Sequence, residues 1–317
     1  MSRHLCFLAL FCMLIAGKTQ AEAWRFALIG DTPYSDYERR ELPGMLDAIA
    51  DTHPEFIVHV GDFKQSNAPC NDELFVDRRD LFAASRAPFI YTPGDNEWMD
   101  CKRIAAGGFD PLERLQKLRE LFFAEPFSLG SKRLPVERQP GAYPEHLRWQ
   151  LGPVLFLTLN VPGPGNNFGP GAEPGAEFSA RNPALITWLR EGFAKARHDR
   201  LAGIVVIMQA NPGMKHFAAD MTHKGFRQLL GALRDETLSF PGQVLLAHGD
   251  THWQRTDQPL RHPETKRVLN NFTRIETFGY PYLGWIKVII DSEDPRLFRF
   301  EPHPYPNLHP NPSKKER

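Results

Sequence analysis

Apolar runs alternate with polar segments along the chain, and the spacing of the apolar positions follows two patterns. Five runs have the length and the β-branched and aromatic content of buried strands. They cover residues 24–31, 56–62, 88–95, 203–209 and 243–250. Helical spacing is found at residues 43–51, 71–85, 111–123, 183–197 and 223–236. Because such strands and helices alternate, the pattern predicts an α/β protein.

The remaining segments predict antiparallel strands and one long loop. Residues 147–160 are typical of a hairpin, and residues 268–278, 285–291 and 297–301 predict closing strands. Residues 162–177 are rich in proline and glycine but match no phosphate-binding motif, so we expect an irregular surface loop there.

Four of the predicted strands end in the same pair, Gly-Asp. The aspartates are Asp31, Asp62, Asp95 and Asp250. Functional groups of α/β sheets gather at the carboxyl ends of strands, so neighbouring strands would bring these carboxylates together. Such a cluster needs a compensating positive charge, which a divalent metal ion supplies. The alternative is that Gly-Asp only ends strands in turns.

Composition excludes two broad classes of protein. The 317 residues are 42% hydrophobic and 24% charged, which is typical of a globular chain and not of a disordered one. Lys and Arg number 38, as do Asp and Glu, so the formal net charge is zero. We therefore expect no specific nucleic-acid binding.

The first segment predicts a secretory signal at residues 1–23. A basic start precedes an apolar run at 5–16, too short for a comfortable membrane span, and Ala21-Glu22-Ala23 matches a cleavage site. The alternative is an N-terminal membrane anchor. Cleavage would leave a secreted or periplasmic protein without a membrane span. Cys70 and Cys101 would be its remaining cysteines, and an oxidising compartment predicts a disulfide between them, with two free thiols as the alternative.

Five blocks in order resemble the calcineurin-like metallophosphoesterases. They read Gly30-Asp31-Thr32-Pro33-Tyr34, Gly61-Asp62-Phe63-Lys64, Gly94-Asp95-Asn96-Glu97, Met208-Gln209-Ala210-Asn211-Pro212 and Gly249-Asp250-Thr251-His252. The third block continues into Trp98 and resembles a secreted subgroup with a G-D-N-E-W block. The resemblance implies a four-layer αββα sandwich, with two facing mixed sheets flanked by helices. It implies one domain at residues 24–302. The polar, proline-rich composition of residues 303–317 predicts a tail after that domain.

The blocks depart from the family pattern at most of its histidines. Pro33, Asn96, Gln209 and Asp250 stand where the family has histidine, and Asp95 replaces its asparagine. Among the usual histidines only His252 is kept. Every replacement except Pro33 still supplies an oxygen atom as a potential ligand.

The resemblance implies a role for each block residue. Asp31 and His252 would hold a first metal ion, Asp62 would bridge two ions, and Asp95, Gln209 and Asp250 would hold the second. Asp62 and Asn96 would be catalytic, and Lys64, Tyr34 and Asn96 would contact the substrate. The implied reaction is hydrolysis of phosphate mono- or diesters by a metal-bridging hydroxide. An oxygen-rich ligand set favours Mn or Mg over Zn or Fe.

Other functions remain open from the residues. The altered blocks also suit a catalytically impaired protein of the same fold that binds a metal or another ligand. A Ser/His/Asp hydrolase is less favoured, since the chain has no G-x-S-x-G elbow. A glycosidase is conceivable from the acidic strand ends, but no feature specifies a sugar. The expected partner is a small or exposed phosphoester. Trp98 and Trp253 directly follow two blocks and either line a pocket or cover its edge.

Overall fold

The computed structural model describes residues 23–305. The expected signal peptide, apart from Ala23, and the expected tail beyond Tyr305 lie outside the described residues. Within residues 23–305, no helix is long and apolar enough to cross a membrane.

The first sheet carries the first three Gly-Asp pairs. Its order is β12-β11-β1-β2-β3. The strands are β1 (Ala23–Ile29), β2 (Phe56–His59), β3 (Phe89–Tyr91), β11 (Gly284–Asp291) and β12 (Phe298–Pro304). Strands β1, β2 and β3 are parallel, whereas β11 and β12 are antiparallel to their neighbours. The carboxyl ends of the three parallel strands therefore lie at one edge.

The second sheet has seven strands in the order β4-β5-β6-β7-β8-β10-β9. They are β4 (Glu137–Arg138), β5 (Leu147–Leu151), β6 (Val154–Thr158), β7 (Gly203–Ile207), β8 (Gln243–His248), β9 (Arg255–Asp257) and β10 (Phe272–Glu276). The four strands β6, β7, β8 and β10 are parallel, and β4, β5 and β9 extend the sheet antiparallel.

Helices cover the outer faces of both sheets. They are α1 (Asp36–Ala50), α2 (Asp72–Ala83), α3 (Pro111–Phe122), α4 (Ala176–His198), α5 (Met214–Ala218) and α6 (Lys224–Ser239). Apolar side chains of α1, α2 and α3 share one core with the five-stranded sheet. Those of α4 and α6 share a second core with the seven-stranded sheet.

Alternation along β7 shows how the layers stack. Val205 and Ile207 belong to the core between the two sheets, whereas Ile204 and Val206 pack under α4 and α6. Successive side chains of a strand point to opposite faces, so β7 is buried on both sides. This arrangement confirms the predicted four-layer αββα sandwich with two facing mixed sheets.

Two predicted helices begin earlier than expected. Helix α1 starts at Asp36, because the Ser35 side chain caps it by accepting the Glu38 N–H at 3.2 Å. Pro43, expected at its first turn, lies inside the helix. Pro183 likewise lies inside α4. The tertiary burial of both helices outweighs the cost of an interior proline, about 3 kcal/mol.

The ends of the sheets also differ from the expected segments. Strand β12 runs to Pro304, so the first two residues of the expected tail belong to the sheet. The short elements β4, β9 and α5 follow from no periodic pattern in the sequence, because two to five residues are too few to show one.

Candidate active site

The structure brings the strand-end residues of both sheets together. Asp31, Asp62 and Asp95 follow β1, β2 and β3, while Gln209 and Asp250 follow β7 and β8. Hydrogen bonds join the two sheet edges. The Asp250 backbone N–H donates to both carboxylate oxygens of Asp31, at 3.0 and 3.2 Å, and Gln209 Nε2 donates to Asp62 Oδ2 at 3.0 Å.

Four of these residues adopt left-handed backbone conformations. The φ angles are 51° for Asp31, 60° for Asp62, 82° for Asp250 and 58° for His252. Positive φ is uncommon for any residue except glycine, and such residues cluster at active sites and ligand clamps. The surrounding structure holds these four residues in a conformation that non-glycine residues rarely adopt.

Two glycines of the Gly-Asp pairs, Gly94 and Gly249, make room for aspartates on other strands. A Cβ at Gly94 would lie 2.0 Å from Asp62 Oδ1, and a Cβ at Gly249 would lie 2.2 Å from Asp31 Oδ2. Only glycine allows these close approaches. The repeated pair therefore serves contact between strands as well as a local turn.

Burial makes the cluster electrostatically unfavourable when all its carboxylates are ionised. Burial first, and then the neighbouring carboxylates, raise the pKa values of Asp62 and Asp95 well above their usual range. Burial also raises the pKa of Asp31 and Glu97, and that of Asp250 to about 6. The site therefore favours bound protons or cations.

Asp62 is held by three hydrogen-bond donors. Its Oδ1 accepts the Asn96 backbone N–H at 3.1 Å. Its Oδ2 accepts the Tyr34 hydroxyl at 3.1 Å and the Gln209 side-chain amide at 3.0 Å. Asn96 Nδ2 in turn donates to the Tyr34 hydroxyl at 2.8 Å. Tyr34 and Asn96 also line the open cleft beside Asp62. The resemblance predicts that both residues contact the substrate.

Glu97 is a positioning residue to which sequence reasoning assigned no role. Its Oε1 accepts the backbone N–H groups of Asp62 and Gly94, both at 2.9 Å, and the Tyr91 hydroxyl at 2.6 Å. The signal available in the sequence was a glutamate within the third block. By accepting both N–H groups, Glu97 fixes the ends of β2 and β3 relative to each other.

Gln209 is oriented differently from the expected metal ligand. Its Oε1 accepts the Gly163 backbone N–H at 2.7 Å, which turns its Nε2 toward Asp62. A metal ion is bound through the amide oxygen, because the NH₂ group is only a donor. In this structure Gln209 is a hydrogen-bond donor to Asp62 and links it to the loop at 162–177.

Lys64 is also placed differently from its expected role. It is buried, and its Nζ donates to the carbonyl oxygens of Gln65 and Ala68, both at 2.9 Å. Burial lowers its pKa to about 8. Lys64 thus holds its own loop and is not placed to contact a phosphate in the cleft.

His252 has the surroundings of a metal-binding histidine. Its Nδ1–H donates to the Tyr280 carbonyl at 2.6 Å, and its Nε2 lies 3.4 Å from Asp31 Oδ1. Metal-bound histidines usually donate their second ring N–H to a carbonyl or carboxylate in this way. Burial lowers the pKa of His252, but the hydrogen bond and charge of Asp31 outweigh that effect and raise it overall.

The donor set fits hard divalent cations, although the side chains are not gathered around one point. Four aspartates supply carboxylate oxygens, and the buried Asp95 Oδ1 has no hydrogen-bond partner. However, no three His, Cys, Asp or Glu side chains in residues 23–305 are arranged as ligands of one ion. Binding a metal would therefore require some of these side chains to rotate.

An open cleft of about 420 Å³ leads to the cluster. Arg103 lines it and pairs with Asp100, with 2.9 Å between Nε and Oδ1, while its side chain stays about half exposed. Sequence reasoning did not single out Arg103, because an isolated surface arginine has no motif. Trp98 is fully buried and belongs to the core, whereas Trp253 is 68% exposed.

A disulfide joins two loops beside the cleft. Cys70 and Cys101 are bonded, with 5.6 Å between their Cα atoms, which confirms the predicted pairing. Their loops contribute Asn67 and Arg103 to the cleft lining. The bond therefore limits how far these two loops can separate.

Comparisons with known proteins agree on the architecture. A scan against protein-family models gives no match, and neither does a search of curated proteins. The chain is similar to a dimetal phosphatase from Danio rerio, with a TM-score of 0.52 and 10% identity over 89% of this chain and 96% of the other. It is also similar to PhoD, with a TM-score of 0.52 and 12% identity over 85% of this chain and 64% of that one.

Likenesses at this level of identity show the fold. Both likenesses cover most of this chain. The chain therefore shares the fold of these proteins, and the fold that its sequence resemblance implies is confirmed.

Proposed function

We propose that the protein is a metal-dependent phosphoesterase that hydrolyses phosphate mono- or diesters. One observation carries this proposal: Asp31, Asp62, Asp95, Glu97 and Asp250 form a cluster of carboxylates at the facing sheet edges. Within the described part of the chain, His252 is the basic side chain that lies within ion-pair distance of this cluster. The excess negative charge is what divalent cations would neutralise.

Following the resemblance, we assign the carboxylates of the cluster to two metal positions. Asp31 and His252 would hold one ion, Asp95 and Asp250 the other, and Asp62 would serve both. Two divalent ions at such a site supply the charge stabilisation and water activation that phosphoester hydrolysis requires. Oxygen ligands favour Mn or Mg over Zn or Fe. Gln209 would support Asp62 through its amide N–H, as it does in this structure.

Residues at the cleft would bind and orient the phosphoester. Arg103 is the exposed guanidinium at the cleft, and guanidinium groups bind phosphate through paired hydrogen bonds. Burial raises the pKa of Tyr34 well above its usual range, so the phenol stays protonated and can donate a hydrogen bond. Asn96 can donate a hydrogen bond but not a proton. We expect slower release of poor leaving groups, since general-acid help contributes about 10²–10⁴-fold.

We further propose that the protein is secreted or periplasmic. The signal-like segment at residues 1–23 and the Cys70–Cys101 disulfide support this location, because disulfides persist in oxidising compartments. Mass spectrometry of protein recovered from the periplasm or medium tests it. A mature chain that starts near Trp24 is expected, and an intact residue 1–23 segment would contradict the proposal.

A second candidate is a catalytically impaired binding protein of the same fold. The favouring observation is that three donors already occupy the Asp62 carboxylate, and that Gln209 offers nitrogen in place of oxygen. Such a protein would use the cleft to recognise a ligand without turning it over.

Metal content separates the two candidates without knowledge of the substrate. The mature protein is reconstituted with Mn²⁺ or Mg²⁺ and its metal per chain is measured, beside Asp62→Asn and the exposed control Asp235→Asn. We expect two ions in wild type and in the control, and fewer in Asp62→Asn. Wild type and the control should also hydrolyse aryl phosphates faster than Asp62→Asn does. A chain that takes up no metal, or Asp62→Asn with full activity, contradicts the phosphoesterase.

A further inference from the structure

An apolar groove adjoins the acidic cleft. Its volume is about 380 Å³, and His252 lies at the end nearest the cleft. Within residues 23–305, the lining contains one uncharged amide, Gln254, and is otherwise aromatic or aliphatic: Trp253, Phe278, Pro281, Tyr282, Leu283, Pro304 and Tyr305. Among the described residues lining it there is no carboxylate, lysine or arginine. Trp253 is 68% and Tyr282 63% exposed, among the most exposed large apolar side chains described. Exposed aromatic side chains around a concave surface mark a binding site.

The groove is continuous with the cluster of carboxylates. His252 lines both the cleft and the groove, and Tyr280, in the cleft, directly precedes Pro281 in the groove. The Tyr34 ring stacks on Tyr280 at a centroid distance of 5.9 Å and meets the edge of His252 at 5.2 Å. An aromatic surface therefore runs from the hydroxyl bonded to Asp62 out to the groove.

We propose that this groove holds the apolar alcohol part of the phosphoester, such as an aryl or alkyl group, while the phosphate lies in the acidic cleft. This inference rests on the proposed phosphoesterase function. A charged or strongly polar group would find few partners in the groove and would lose its hydration. An apolar group would cover Trp253 and Tyr282 and remove them from water. The site would then prefer esters of apolar alcohols to phosphates of sugars.

Two phosphonates that are not hydrolysed test the groove by binding alone. Naphthylmethylphosphonate carries a bicyclic aromatic group, and methylphosphonate carries the same charge without it. Isothermal titration of the Mn²⁺-loaded full chain should give at least tenfold tighter binding of the naphthyl compound. Trp253→Ala and Tyr282→Ala should each weaken it about three- to tenfold and leave methylphosphonate unchanged. Both side chains are exposed, so folding should be preserved.

Leu238→Ala is the matched control, because Leu238 is 41% exposed and lies near the far end of α6. It should change neither affinity. Equal affinity for the two phosphonates, or an equal loss for both in the variants, would overturn the inference. So would a dimer that Trp253→Ala dissociates, since a second copy would then fill the groove. Failure to bind either phosphonate would overturn it together with the proposed function.

Hydrolysis of 1-naphthyl phosphate and glycerol phosphate distinguishes the two proposals. If the naphthyl preference in binding is present but neither ester is hydrolysed, the phosphoesterase fails and the groove stands. If both esters are hydrolysed with equal KM, and Trp253→Ala changes neither KM, the groove fails and the phosphoesterase stands.

Discussion

Asp250→Asn should stabilise the metal-free protein, although it removes a residue proposed to bind metal. Burial raises the pKa of Asp250 from 3.8 to about 6. A shift of about 2 pKa units corresponds to about 3 kcal/mol by which ionised Asp250 disfavours folding. The neutral amide avoids this cost and can still accept the Asn211 N–H, which Asp250 Oδ2 now accepts at 2.8 Å.

The sign of the pH dependence follows from the raised pKa. The folded protein binds a proton at Asp250 more tightly than the unfolded chain, so wild type loses stability as pH rises through about 4 to 6. The stabilising effect of Asp250→Asn should therefore reach up to about 3 kcal/mol at pH 8 and fall to about half of that at pH 5.

Urea unfolding of chelator-treated protein, followed by tryptophan fluorescence, measures this difference at both pH values. Asp235→Asn on the exposed face of α6 serves as control and should stay within about 0.5 kcal/mol of wild type. A variant that is less stable than wild type at pH 8 without metal, or a difference independent of pH, would refute the electrostatic reasoning.

Adding Mn²⁺ should narrow the stability difference between Asp250→Asn and wild type at pH 8. A ligand that binds only the folded protein stabilises it by about 2.7 kcal/mol at 100 times its Kd. Wild type should gain this increment, whereas Asp250→Asn should gain less because one carboxylate oxygen donor is lost. An equal gain in both proteins would show that Asp250 does not contact the bound ion.

Three further predictions follow from other parts of the structure. Replacing both Cys70 and Cys101 by Ser should lower the free energy of unfolding by about 3–4 kcal/mol in urea titrations, because the bond closes a loop of 31 residues; no loss would contradict this. Gly94→Ala should lower kcat/KM for an aryl phosphate about 10²-fold, because its Cβ would displace Asp62, whereas the same change at Gly231, which has open space around it, should not. His146 is buried with its pKa lowered from 6.5 to about 4, so wild type should lose stability as pH falls from 6.5 toward 4. His146→Gln should reduce the loss between pH 8 and pH 5 by about 2 kcal/mol, measured by urea unfolding, and an unchanged loss would contradict the assignment.

The layers and the strand ends were predictable from the sequence because their signals are local. Strands such as β7 are continuous apolar runs, since they are buried on both faces. The helix starts were less predictable. Pro43 and Pro183 are typical of a first helical turn, but the start of α1 depends on the Ser35 cap, and that of α4 lies within the proline- and glycine-rich segment.

Side-chain orientation in the site could not be predicted, because it depends on backbone groups that no sequence motif identifies. Gln209 turns its nitrogen to Asp62 since Gly163, in the long loop, donates to its oxygen. Lys64 turns inward because two carbonyls of its own loop accept its ammonium protons. None of these backbone partners belongs to a motif. The residue types therefore indicated where the site lies, but not which way the Gln209 amide and the Lys64 ammonium group point.

The Gly-Asp pairs show why the motif is informative despite being common in turns. If each pair only ended its own strand, its glycine would matter for the local backbone alone. Instead Gly94, at the end of β3, makes room for Asp62 of β2, and Gly249, at the end of β8, makes room for Asp31 on the other sheet. Backbone N–H groups donate to both carboxylates there, but their burial still raises both pKa values and makes ionisation costly unless a bound cation or proton compensates it. The repeated pair is therefore better explained by a shared charged site between the sheets than by independent turns.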